Sequence, residues 1–142
     1  MTKSDRFRPL QQVASSRERD AARALGESQR RRLEESQRLE ALRQYHAEYL
    51  ERFRSAQQRG MTVGQLLEYQ AFLAKLDRAV DHQVEVVRRC EAEAGRRQEA
   101  WRDKYTRSRV MDKVVDNLQE TERQEGERRE QADLDERNQR RR

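Results

Sequence analysis

Two histidines, His46 and His82, a single cysteine, Cys90, and adjacent carboxylates such as Glu34–Glu35 are the side chains of this sequence that could ligate a metal, attack an electrophile or move a proton. Each use makes a spatial demand. A shared metal needs both imidazoles together. If the chain folds back near residue 60, His46 falls opposite Lys75, roughly seven residues or two helical turns from His82. His46 therefore reads as a part-buried helix-seam histidine. Cys90 has neither a second cysteine nor an obvious activating base, and reads as a small half-buried residue rather than a nucleophile. The paired carboxylates are solvated, whereas general acid–base work needs a desolvated site that shifts a pKa. The glycines at 26, 60, 64, 95 and 126 form no phosphate-cradling loop. Gly60 and Gly64 have GxxxG spacing, but in a polar turn rather than an apolar membrane helix. The expectation is a non-enzyme with no metal site and no cofactor.

Basic clusters are the remaining candidates. Arg30–Arg32 and Arg140–Arg142 have no interleaved aromatics, and Glu34 and Glu35 follow the first. Up to Gly60 there are 14 basic and 9 acidic residues, and from Met61 onward 18 of each. Such interspersion is the habit of a solvated helix face rather than a phosphate-binding one. Arg outnumbers Lys 28 to 4, which a genome-wide preference explains. No nucleic-acid partner is expected. The terminal triplet would strengthen contact with any acidic partner.

The elements that could position anything are narrow. Of 142 residues, 42% are charged and 33% hydrophobic, so the chain cannot fill a wide core. One Pro and five Gly among abundant Arg, Glu, Gln, Ala and Leu favour long helices meeting along a seam. The longest apolar run, Ala71–Ala74, is far short of the roughly 20 residues of a membrane span. A lone cysteine and the absence of an apolar leader add the expectation of a soluble, cytoplasmic protein.

From Pro9, which suits a first helical turn, little interrupts a helix before about Gln58. Phe7, Ala14, Ala21, Ser28, Glu35, Leu42, Tyr49 and Ala56 form one heptad series. Gln11, Glu18, Leu25, Arg32, Leu39, His46 and Phe53 form the other, and together they draw a coiled-coil seam with a polar middle. Gly60 suits the left-handed residue that ends a helix. Thr62, followed three residues later by Gln65, has capping-box spacing. A second seam is drawn through Leu66, Tyr69 or Gln70, Leu73, Val80, Val84, Val87, Glu91, Ala94, Trp101 and Tyr105, shifting to Met111, Val115 and Leu118. The fold expected is all-α: a long antiparallel two-helix coiled coil, monomeric, with an overhanging C-terminal helix. One domain, 1–142, would hold helix 1 at about 8–58, a turn at 59–62 and helix 2 at about 63–118 or beyond. Residues 119–142 are charged, a frayed helix or tail. Position i would lie near 121 minus i, setting Ala21 against Trp101, with a paired length of about 75 Å at roughly 1.5 Å per residue.

Near the turn there is a surplus of apolar residues. Arg38, Leu42, Tyr45 and Tyr49 recur at helical spacing on the first helix, and Phe72, Leu76, Ala79 and Gln83 on the second. Leu42 and Tyr49 share the seam, while Tyr45, Phe72 and Leu76 lie off its strictest register. This is either a broader stripe or an exposed patch for a partner.

The ordered set RDAARALGE (19–27), YHAEY (45–49), Gly60, EYQAFLAKLDRAVDHQ (68–83), EAWRDK (99–104) and LDE (134–136) resembles the flagellar export protein family FliJ. The resemblance implies an antiparallel two-helix coiled coil, similar to the central stalk of rotary ATPases. It implies a protein that sits in the pore of a hexameric export ATPase, promotes ring assembly, links the ring to the transmembrane export gate and handles export chaperones. Its location would be cytoplasmic, peripheral to the inner membrane at the flagellar base. The family's gate-contacting positions match Leu42, Tyr45, Tyr49, Phe72, Leu76 and Ala79, with Arg38 and Gln83 at the flanks. On that reading Phe53, Tyr69 and part of Tyr49 close the tip, and Tyr45 and Phe72 face the gate. The charged end carrying Arg123, Arg128, Arg129 and Arg137 would make many weak contacts with the ATPase ring. Two rival readings are the equivalent stalk of an injectisome, separated by neighbouring genes, and an Arg-rich nucleic-acid-binding coil, separated by steeply salt-dependent DNA binding.

Overall fold

The computed structural model describes residues 1–141, leaving Arg142 of the terminal arginine triplet outside the described residues. It contains two helices, α1 (Lys3–Arg59) and α2 (Val63–Arg140), packed against each other as the expected all-α hairpin. The break between them is local chemistry. Gly60 has φ 90°, a left-handed conformation open to glycine at little cost, and its N–H donates to the Gln57 carbonyl at 3.2 Å. Two residues on, the Thr62 N–H donates to Gln65 Oε1 and the Gln65 N–H to Thr62 Oγ1, each at 3.1 Å. This reciprocal box satisfies two amides that a new helix would otherwise leave unpaired.

α1 starts with the same device. The Thr2 and Asp5 side chains exchange bonds with each other's amides at 3.2 and 3.3 Å. The helix thus begins ahead of Pro9, which lies inside it, exposed.

Two compact units are resolved. In the unit spanning residues 24–98, Leu76, Val87, Cys90 and Ala94 are the buried apolar residues, with Glu35 and Gln83 buried beside them. The spacing from 76 through 83, 87 and 90 to 94 is a regular heptad alternation. It corrects the second seam drawn from the sequence: Val84 and Glu91 are exposed, Gln83 and Cys90 occupy the places assigned to them, and Leu76 enters the seam between Leu73 and Val80. Val84 is apolar yet 40% exposed. Gln83 belongs instead because a polar partner awaits it. Its Nε2 donates to Glu35 Oε2 at 2.6 Å and to the Glu35 carbonyl at 3.0 Å, while Arg38 reaches Glu35 Oε1 at 2.9 Å. A buried carboxylate is tolerable only when its oxygens are met in this way.

The other unit comprises Met1–Arg23 and Glu99–Arg142. Val115 is its buried apolar residue and Ser4 its buried polar one. The Ser4 N–H and Oγ donate to the two carboxylate oxygens of Glu122 at 3.0 and 2.7 Å, so a carboxylate from α2 closes over the positive N-terminus of α1. Gln11 donates to Asp112 at 2.9 Å. The indole N–H of Trp101 donates to Glu18 at 2.8 Å, one turn from the Ala21 expected opposite it. Past Glu122 every described side chain is exposed, yet α2 stays helical to Arg140. Pairs one turn apart brace it: Arg123 to Glu120 and Glu127, and Arg140 to Glu136.

Candidate functional site

The surplus of rings resolves into a ladder. Phe53 stacks on Tyr69 with centroids 5.3 Å apart, Tyr69 on Tyr49 at 5.4 Å, and Tyr49 on Phe72 at 4.4 Å. Tyr45 ends it, edge-on to Phe72 at 6.2 Å and 6.5 Å from Tyr49. Antiparallel packing of two amphipathic stripes brings these residues together, and tilted or edge-to-face geometry is what ring quadrupoles favour. Burial varies along the ladder. Phe53, Tyr69, Tyr49 and Phe72 are half-buried, whereas Tyr45 is 42% exposed. Burial, followed by repulsion from the Tyr69 hydroxyl, pushes the Tyr49 phenol up from its ordinary value.

The eight residues singled out near the turn therefore do not form one open face. Leu76, at 6% exposure, and Gln83 point into the seam and are spoken for by α1. Leu42, Tyr49, Phe72 and Ala79 are half-buried, and Arg38 is exposed and tied to Glu35. Tyr45 is the ring with a free face. An exposed edge backed by a packed ladder is preorganised to enter an apolar pocket, since ordering it costs little entropy.

The four arginines of the C-terminal stretch also divide. Arg123 lies between Glu120 and Glu127, and its guanidinium pKa is raised above the ordinary value, chiefly by the Glu120 bond. Arg128, Arg129 and Arg137 are exposed and make no ion pair among the described residues. His46 Nε2 lies 2.7 Å from Asp77 Oδ1, so its partner is a carboxylate on the facing helix, and His82 is exposed elsewhere. Among the described residues no group of three His, Cys, Asp or Glu is placed to hold a metal. No described helix is long and apolar enough to cross a membrane.

Leu10, Val13 and Val110, which belong to none of the seams drawn from the sequence, are each about half exposed. Their signal was present, since Leu10 and Val13 fall outside both heptad series of the first helix.

Compared with known proteins, residues 2–142 match the family model described as flagellar FliJ protein. No curated protein and no solved structure matches the chain.

Proposed function

Since the chain belongs to the flagellar FliJ family, and is thereby a component of the flagellar type III export apparatus, we propose for it the role of a stalk-like coupling protein. It binds the hexameric export ATPase, promotes assembly of that ring, connects it to the cytoplasmic part of the transmembrane export gate, and handles export chaperones. It catalyses nothing itself. It meets the membrane through its partners. The observation that carries this reading is a family match over nearly the whole chain on a two-helix hairpin.

For the gate contact, the exposure of Tyr45 supports a surface made by Tyr45 with Arg38 and the outer edges of Leu42, Tyr49, Phe72 and Ala79. Leu76 and Gln83 would support that surface from beneath. Tyr45→Ala is expected to weaken binding of the purified cytoplasmic gate domain about tenfold, as truncation of an aromatic anchor does, with helicity and unfolding midpoint nearly unchanged. Unaltered gate affinity would remove Tyr45 from the contact. Leu76→Ala separates support from contact: the expected result is a loss of about 2–4 kcal/mol in stability, because the cavity lies in the seam.

For the ATPase contact, the free arginines Arg128, Arg129 and Arg137, with Arg123 held between its two carboxylates, support weak charged contacts. Such contacts suit a ring whose six subunits cannot be matched at once. Truncation after Glu122 is expected to weaken stimulation of the ATPase and leave gate binding intact, with added salt acting like the truncation. Full stimulation by the truncated chain across the salt range would move the contact to the paired helices.

A further inference from the structure

In the unit formed by Met1–Arg23 and Glu99–Arg142, a surface groove runs between the helices. Leu10, Val13, Ala14 and Arg17 line one wall at the one-face spacing of a helix, and Lys104, Arg107, Val110 and Met111 line the other. The bonds Gln11–Asp112 and Trp101–Glu18 fix how the walls meet. In the register those bonds set, Leu10 and Val13 fall toward Val110 and Met111, Ala14 opposite Arg107, and Arg17 beside Lys104. The groove is therefore polarised, apolar at one end and cationic at the other. Leu10 is 54%, Val13 47% and Val110 55% exposed. Three large aliphatic residues this open, side by side, are the mark of an unfilled contact rather than scattered surface.

The cationic end is also unsatisfied. Arg17 and Lys104 make no ion pair among the described residues, and Arg107 has only an exposed Asp103 at 3.5 Å. The neighbouring carboxylates are taken: Asp112 accepts from Gln11, and Glu18 from the Trp101 indole. We propose that this groove seats one amphipathic helix of a partner protein, with an apolar face along Leu10, Val13 and Val110 and an acidic turn against Arg17, Lys104 and Arg107. Charge complementarity selects that occupant. A second copy would bring like cations together around the same patch. The chain's own uncovered stretch, residues 123–140, offers Leu134 as its one strongly apolar residue and cannot fill the groove. Apolar anchors supply affinity and the acidic turn supplies direction, as in other helix-in-groove recognition. The proposal is independent of the stalk reading, because it invokes neither gate nor ATPase.

The test uses the full chain and two stapled probe helices of about 14 residues, roughly four turns. Both carry the same leucine face, with glutamates at one end of the first and lysines in their place on the second. By fluorescence anisotropy the acidic probe should bind at least about tenfold more tightly than the basic one. Val13→Asp with Val110→Asp should abolish binding, and circular dichroism should confirm that these exposed substitutions leave the helices formed. Arg17→Glu with Lys104→Glu should reverse the preference and favour the basic probe. Equal binding of both probes, or none by either, overturns the proposal. So does concentration-dependent self-association of the free chain that the Val13 and Val110 substitutions abolish, which would make a second copy the occupant.

Discussion

Gln83 and Glu35 show how little a single side chain must do to set an alignment. Sliding α2 by one heptad would bring Leu76 or Cys90 to Glu35, and neither can donate as the Gln83 amide does. Mismatched alignments would leave a buried carboxylate with Arg38 alone. Gln83→Leu is thus expected to lower stability by about 1–3 kcal/mol, the usual cost of an unmet buried polar partner, read from urea unfolding. Glu35→Leu with Gln83→Leu should recover most of that loss while loosening register, seen as cross-linking between cysteines placed at several offsets. A double variant as unstable as the single one would show that the pair does not set the alignment. This pair also marks the limit of reading the site from sequence. A polar residue at a seam position looks like a polar residue on a surface until its partner is known, so the burial of Gln83 against Glu35 is not legible from the residue alone. Tyr45 was legible only in part: it lies off the heptad register and stays 42% exposed, whereas Phe72, equally off that register, packs half-buried on Tyr49 at 4.4 Å.

Among the elements, the break and both helices were legible because their signals are local: a left-handed glycine, a reciprocal cap and sustained heptads. Gly60→Ala puts a Cβ on a residue at φ 90° and is expected to cost about 1 kcal/mol, measured by thermal unfolding. The start of α1 was less legible, since Pro9 resembles a first-turn proline and outweighed the Thr2 and Asp5 spacing. Beyond Glu122, α2 is braced by a few exposed ion pairs one turn apart, which hydrophobic periodicity does not register. The closure of Glu122 over the α1 N-terminus makes a pH prediction. Bonds from the Ser4 amide, and then its hydroxyl, hold the Glu122 carboxyl below the ordinary glutamate value of 4.5. Because the folded pKa is the depressed one, the contact contributes fully above the ordinary value and is lost as pH falls through the folded value. The Ser4 amide resonance should accordingly titrate with a midpoint below 4.5 in the native chain and lose that transition in Glu122→Gln. A Ser4 midpoint at or above the ordinary value would contradict the contact.

For the molecule as a whole, the two units differ in how much chain must be closed to form them. The 24–98 unit is contiguous and contains the turn, so its pairing propagates from neighbouring residues. The other unit joins distant segments, with Ser4 and Glu122 separated by 118 positions. Closing a longer loop carries a larger entropy cost, so the contiguous unit should form first. Val87→Ala is expected to slow folding, and Val115→Ala mainly to speed unfolding, in stopped-flow denaturant jumps. The opposite partition would reverse that order. The same separation has a consequence on the ribosome. At about 5–20 residues per second, Glu122 is synthesised roughly 6–24 s after Ser4, so the start of α1 spends that interval without its partner. The Thr2–Asp5 cap lies wholly at the start of α1 and needs nothing from α2. It can hold the first turn of the nascent helix through the wait, leaving the Ser4 hydroxyl and amide ready when the carboxylate arrives.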